Sequence, residues 1–209
     1  MNKSDILEAA RAQIRAEGEV LMDIADQIDD SFIEAVMLVV NCTGKILATG
    51  AGTSGAMARR LAHLLATCGM SAFYQHPGEA LHGPLAAIGE GDVIIALSKA
   101  GRSQELNTFC QVAKARGAKI MAWTWYPDSP LGQMSDVVLQ IRPDEKGEGE
   151  GVLPFGSTLA NGAVGDALTL AAKRMRGFDL HTLTQTHPSG ATSELVKQLA
   201  ARPQSELSS

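Results

Sequence analysis

The chain is short of aromatic residues, which make up 4% of its 209 positions, while glycine alone fills 21 of them. With alanine abundant as well, that balance fits helices packed closely on a sheet and glycine turns that let backbone approach a ligand. Cysteine is equally scarce. Cys42, Cys68 and Cys110 are odd in number and lack any CxxC or Cys/His spacing, so neither a disulfide framework nor a structural zinc site is indicated, and a reducing cytoplasm is the expected location. There is no run of Lys and Arg, and the formal net charge is −5. A surface for nucleic acid or an anionic membrane is therefore not expected, and any anion must be held locally. Long apolar runs are missing too. The longest stretch free of Asp, Glu, Lys and Arg, Leu61 to Gly78, contains His63, Gly69, Gln75, His76 and Pro77, which is wrong for a membrane span. Met1 to Arg15 mixes charges throughout and has no apolar segment leading to a cleavage site, so no secretory signal is expected.

What is present is ordinary for a folded domain: 45% hydrophobic and 20% charged residues with a mean hydropathy of +0.01, far from the profile of disorder. Ile6, Ala10, Ile14, Leu21, Ile24 and Ile28 recur at helical spacing from a Ser4 cap, and a second helix is predicted over Ser31 to Asn41. Lys45 to Thr49 is a short apolar run that ends in Gly50-Ala51-Gly52-Thr53-Ser54-Gly55, after which Met57, Leu61, Leu64, Leu65 and Cys68 resume helical spacing. The same succession of strand, small-residue turn and helix recurs at Asp92 to Leu97, Ser98 to Ser103, and Leu106 to Arg116. Further strands are predicted at Ala72 to Tyr74, Lys119 to Trp125 and Asp136 to Ile141, and a long Ala-rich helix at Ser157 to Met175. Alternating strands and helices imply a parallel sheet in an α/β domain. The acidic, glycine-rich tract Arg142 to Gly151 reads as a mobile loop, and Arg202 to Ser209 as a frayed end.

In such a sheet ligands sit at the carboxyl ends of the strands, where a helix N-terminus offers free N–H groups and a positive dipole. Both small-residue turns lie at such ends. The first resembles a dinucleotide loop, but no acidic residue ends the next strand to hold a ribose, and no GxxxxGK[ST] is present. The second joins the hydroxyls of Ser98 and Ser103 to the start of a helix, a cradle suited to a phosphate monoester; an ordinary helix cap accounts for these residues equally well.

Four segments taken together resemble a known family: Gly50-Ala51-Gly52-Thr53-Ser54-Gly55, His76-Pro77-Gly78-Glu79-Ala80-Leu81-His82-Gly83, Ala96 through Glu105, and Thr186-His187-Pro188-Ser189-Gly190-Ala191. In this order they are similar to the sugar isomerase (SIS) domain, and within it to arabinose-5-phosphate isomerases. The resemblance implies a three-layer α/β/α sandwich around a five-stranded parallel sheet, preceded by N-terminal helices. It implies one SIS domain over residues 1–209, with helices in 1–43, the core in 44–191 and a tail in 192–209. It also implies aldose–ketose isomerisation of a small phosphosugar such as arabinose 5-phosphate through an enediol(ate), without metal or other cofactor, in a homodimer or homotetramer. Three departures stand out: Thr53 replaces a lysine in the first turn, Ala100 and Arg102 replace a serine and a glutamate in the second, and many relatives continue into CBS domains.

Isomerisation needs a base for the C1 and C2 protons, an acid/base for the oxygens and a phosphate anchor. The resemblance and the chemistry together assign Glu105, His187 and His82 as candidate acid/base groups, with His82 ranked above His76. Gly52, Thr53, Ser54, Ser98, Arg102, Ser103, Ser157 and Thr158 are candidates for binding the sugar phosphate, Arg102 through bidentate contact with phosphate. Each has a plainer account: Glu105 as a charge favoured at a helix start, the histidines as structural hydrogen-bonding groups. A glutamate expected in the acidic tract falls near Lys146, leaving Glu145 and Glu148 as alternatives. Trp123 and Trp125 read as packing or a pocket wall. No three or four His, Cys, Asp or Glu have zinc-like spacing, so no metal is assigned. The rival reading is a non-catalytic phosphosugar-binding module; a second enzyme reading is isomerisation of another phosphorylated sugar, such as a hexulose 6-phosphate. The apolar stripe on the first helix has no obvious partner in sequence order and is expected at a subunit contact.

Overall fold

The structure is a computed structural model that describes residues 2–179, 182, 183, 186, 189 and 191–200. His187, the second acid/base candidate of the sequence reading, lies outside the described residues, as does His181.

The chain runs through helices α1 (Lys3–Asp26) and α2 (Asp30–Val40), then β1 (Ile46–Thr49), α3 (Gly52–Thr67), β2 (Ala72–Tyr74), the short α4 (Pro77–Ala80), β3 (Val93–Leu97) and α5 (Gln104–Ala115). It continues through β4 (Lys119–Thr124), the short α6 (Pro130–Met134), β5 (Val137–Gln140), α7 (Gly156–Met175) and α8 (Ala191–Ala200). The five strands form one sheet in the order β2-β1-β3-β4-β5, every pair parallel. Period-2 alternation sorts each strand's residues onto two faces. Ile46, Ala48, Val93, Ile95, Leu97, Met121 and Trp123 enter one core together with residues of α1, α2, α3 and α7. Leu47, Ile94, Ala96, Ile120 and Ala122 enter the other, with residues of α5 and α6. Strand β3 is buried along its whole length, as the centre of a sheet covered on both faces must be. The three-layer sandwich is thus present, with the two N-terminal helices on the face of α3 and α7.

Four details differ from the sequence reading. Helix α1 starts at Lys3 and not after a Ser4 cap. Asn2 accepts the Asp5 N–H at 3.0 Å and Asp5 accepts the Asn2 N–H at 2.9 Å, a reciprocal capping box that satisfies two otherwise orphan donors. Of the apolar stripe of α1, Ile24 has an intradomain partner, while Ile6, Ile14, Leu21 and Ile28 are exposed. The C-terminal half of α1 packs on α7, burying Val20 to 1% and Ile24 to 3% exposure, while Leu7 and Met22 also stay exposed. The acidic tract is packed and not a free loop: Gly147, Glu148 and Gly149 are buried, and Gln13 of α1 donates to the Gly147 carbonyl at 3.1 Å. Glycine is needed there, since a Cβ on Gly147 would stand 2.4 Å from Val20 Cγ2. Finally, the segment read as tail holds α8, with Ser193 and Val196 buried. Among the described residues no helix is long and apolar enough to cross a membrane.

Candidate functional site

The strand order places a switch point between β1 and β3: the chain leaves β1 toward β2 on one side and returns to β3 on the other. Loops at the carboxyl ends of these neighbours diverge, opening the crevice where open parallel sheets take their ligands. Gly55 allows the helix after β1 to start close in, because a Cβ there would lie 2.6 Å from the Gly50 carbonyl oxygen. Tyr74 at the end of β2 donates its hydroxyl to the same Gly50 oxygen at 3.1 Å, which ties the turn to the sheet edge.

A cleft lies at this point, lined by Thr53 and Ser54 of α3, Ser98 and Lys99 after β3, and Ser157, Thr158 and Asn161 of α7. Trp123, Thr124, Trp125, Ile141 and Pro154 form its remaining walls. Five of the residues singled out from the sequence, Thr53, Ser54, Ser98, Ser157 and Thr158, therefore meet in one place although they lie far apart in the chain. Ser98 Oγ accepts the Gly101 N–H at 3.1 Å, so its hydroxyl proton is left to point elsewhere. Thr158 donates its hydroxyl to the Pro154 carbonyl, and Asn161 donates to the Ser157 carbonyl at 2.9 Å. The α3 and α5 N-termini carry no side-chain cap bond, so their first-turn N–H groups remain available to an anion. At α7 the position is taken: Glu148 Oε1 accepts the Ser157 N–H at 2.9 Å. Of the two acidic candidates in the tract, Glu148 is buried at 4% exposure and Glu145 is exposed.

The other candidates are placed differently. Arg102, Ser103 and Glu105 follow Ser98 but do not line the cleft, and Arg102 and Glu105 are exposed. Glu105 on the first turn of α5 converges instead with His76: a Cβ on Gly78 would have Glu105 Oε2 at 3.2 Å and His76 Nδ1 at 3.3 Å. His82 is exposed beyond α4. Gly52 borders a second, more open cleft together with Arg59, Arg60, His63, Tyr74 and His76. There Arg59 stacks on the Tyr74 ring at 4.6 Å, and Arg60 is held by both oxygens of Asp166 at 2.7 and 2.9 Å. Among the described residues no three His, Cys, Asp or Glu side chains converge as a metal site would require.

Sequence reasoning missed Lys99. Its ammonium stands 3.9 Å from the Trp125 ring centroid, and its carbonyl accepts from the Trp125 N–H at 3.0 Å and the Thr124 hydroxyl at 3.1 Å. Its position immediately after Ser98, at a strand's carboxyl end, was the available signal. The stack on a residue from the end of the next strand was not.

The SIS domain family model matches residues 40–171. Arabinose 5-phosphate isomerase KdsD of Salmonella typhi is 34% identical over 187 residues, covering 90% of this chain and 57% of that protein. Arabinose 5-phosphate isomerase GutQ of the same organism is 32% identical over 186 residues, covering 89% of this chain and 58% of that protein. The chain thus spans less than two thirds of the length of these relatives. A solved E. coli CFT073 protein, in complex with arabinose 5-phosphate, superposes with a TM-score of 0.85 at 27% identity, over 90% of this chain and all of that one.

Proposed function

The chain belongs to the SIS domain family, and we propose that it is a phosphosugar aldose–ketose isomerase. The observation that carries the reading is the hydroxyl-lined cleft at the β1/β3 switch point, which includes the uncapped start of α3, suited to a phosphate. The relatives named arabinose 5-phosphate isomerase, and the neighbour in complex with that sugar phosphate, support arabinose 5-phosphate and its ketose as the substrate pair. The phosphate end is held in the cleft by Ser54, Ser98 and the start of α3, with Thr53, Ser157 and Thr158 completing its wall. Glu105 takes the C2 proton of the open-chain aldose and returns it to C1, while the histidines move protons between O1 and O2. His76, beside Glu105, joins His82 and His187 as a candidate for that second transfer. No cofactor or metal is invoked.

Two further readings belong with this one. The exposed Ile6, Leu7, Ile14 and Met22 on α1 support a homodimer or homotetramer, and three free cysteines support a reducing, cytoplasmic setting. A non-catalytic phosphosugar-binding module has one observation in its favour: Glu105 does not line the hydroxyl cleft. Incubating the protein with pentose and hexose phosphates in D₂O and following deuterium entry at C2 by NMR separates the two. Exchange with arabinose 5-phosphate or a hexulose 6-phosphate establishes the isomerase and its sugar. Tight binding without exchange for every sugar establishes the module.

A further inference from the structure

We infer that Lys99 is the cationic anchor of the phosphate group, an assignment that rests on the reading of the hydroxyl cleft as a sugar phosphate site. A phosphate monoester carries about −1.5 to −2 charges near neutral pH, and hydroxyl or amide groups set no charge against it. Of the described side chains lining the cleft, Lys99 alone is charged. It is also uncommitted. Among the described residues Lys99 takes part in no ion pair, and its ammonium rests on the Trp125 ring, a contact that leaves N–H donors free to turn toward an anion.

The surroundings direct the phosphate toward this residue. At the α7 end of the cleft the protein supplies its own anion, since the Ser157 N–H is already bonded to Glu148; a second negative charge there would be repelled. At the other end stand Ser98, with a hydroxyl proton to donate, and the uncapped start of α3. Lys99 borders that end and is fixed in place: its carbonyl is held by bonds from Thr124 and Trp125, and Trp125, whose ring lies against its ammonium, is 3% exposed. A pinned backbone and a buried platform give a flexible side chain one preferred location, which lowers the ordering cost of binding. Arg102, the cation favoured from sequence, does not line the cleft.

The test compares the wild-type chain with Lys99→Met, which keeps an apolar side chain of similar length, and Lys99→Arg, which keeps the charge. Each is titrated with inorganic phosphate and with arabinose 5-phosphate by calorimetry and followed by the isomerase assay, with thermal melting to establish that each is folded. Loss of one charge-assisted contact predicts that Lys99→Met binds both ligands about 10-fold to 150-fold more weakly. KM rises by the same factor with kcat nearly unchanged, and Lys99→Arg recovers most of the affinity. Lys99→Gln serves the same purpose should Lys99→Met fail to fold. Unchanged phosphate binding in the neutral variants overturns the assignment, as does a loss confined to kcat, or a loss produced by Arg102→Met in place of Lys99→Met. The two readings separate cleanly. Phosphate binding that depends on Lys99, without C2 exchange on any sugar, sinks the isomerase and keeps the anchor. Turnover by wild type with an unchanged KM in Lys99→Met does the reverse, and a wild type that binds neither ligand overturns both.

Discussion

Glu148 accepts the Ser157 backbone N–H at 2.9 Å through Oε1, while its Oε2 is buried with no hydrogen-bond partner among the described residues. A buried carboxylate thus serves as the cap of the 20-residue α7, whose N-cap residue, Phe155, has no side-chain oxygen to do so. The charge favours the positive end of the helix dipole, and the unpaired oxygen opposes that gain.

The balance is measurable. Glu148→Ala leaves the Ser157 N–H buried without an acceptor and is expected to cost about 1–3 kcal/mol. Glu148→Gln keeps an acceptor but gives up the charge, worth up to about 2 kcal/mol in partly buried geometry. Each kcal/mol lowers the melting temperature by about 2–4 °C for a chain of this size. Thermal unfolding should rank wild type above Glu148→Gln above Glu148→Ala. A Glu148→Gln protein that melts higher than wild type would show that burial of the orphan oxygen outweighs the cap.

Glu105 and Ser98 should fail in different ways if the proposed isomerase is right. Removing a proton-transfer group typically costs about 100-fold to 10,000-fold in rate with binding largely kept, so Glu105→Gln should lose kcat. Ser98→Ala removes a hydroxyl that contacts substrate and should raise KM about 10-fold to 150-fold, with some loss of turn stability because Gly101 also bonds to it. His187→Ala is expected to follow Glu105→Gln. Full turnover by Glu105→Gln would return that carboxylate to the role of a helix-start charge and make Glu148 the leading base.

The pair Lys45–Asp92 ties the starts of β1 and β3 together and predicts a pH dependence. Burial pushes the Asp92 carboxyl up, but the Lys45 ammonium at 2.6 Å and N–H bonds from Lys45 and Gly89 outweigh it and hold the group below its ordinary value. A carboxyl depressed in the folded state contributes stability above its unfolded value, near 4, and loses it as pH falls through the lower folded value. At Asp136 burial likewise acts upward and is outweighed, there by bonds from the Ile120 N–H and Lys119, so the net shift is in the same direction. Asp92→Asn is therefore expected to cost about 1.5–3 kcal/mol at pH 7. Denaturant titrations down to pH 3 should show the gap to wild type closing; a constant gap would refute the linkage.

Burial pushes the Cys110 thiol up to about 12, and Cys42 and Cys68 are raised for the same reason. Only the thiolate reacts readily with a disulfide reagent. In native protein at pH 8 Cys110 should stay unmodified over hours, and the half-buried Cys42 and Cys68 should react slowly. All three should react at once in guanidinium. Rapid native labelling of Cys110, read by mass spectrometry of peptides, would mean that the α5 face opens on that timescale.

Local chemistry makes much of the molecule legible. Hydrophobic period is a property of neighbouring residues, so the five apolar runs, the long Ala-rich helix and the two small-residue turns can be read directly, and the turns mark the carboxyl ends of β1 and β3 without knowledge of the fold. The start of α1 is harder to read because Asn2 and Ser4 are both competent caps, and the reciprocal bond to Asp5 that selects Asn2 depends on spacing by three. The acidic tract misleads for another reason: its composition suits solvent, and contacts from distant residues such as Val20 and Gln13 on Gly147 enclose it.

Residue order along the chain was enough to specify the five strand segments, the longer helices before Met175 and the parallel α/β class, and to nominate hydroxyl residues as candidates for a phosphate. Which of those residues meet was settled only by folding. The order β2-β1-β3-β4-β5 brings Ser157 and Thr158 beside Ser54 and Ser98 and leaves Arg102 outside. The same packing buries Glu148 while exposing Glu145, and sets Lys99 on Trp125. These relations depend on strand order, register and helix packing across the sheet, which arise from contacts far apart in the chain and leave no periodic trace along it.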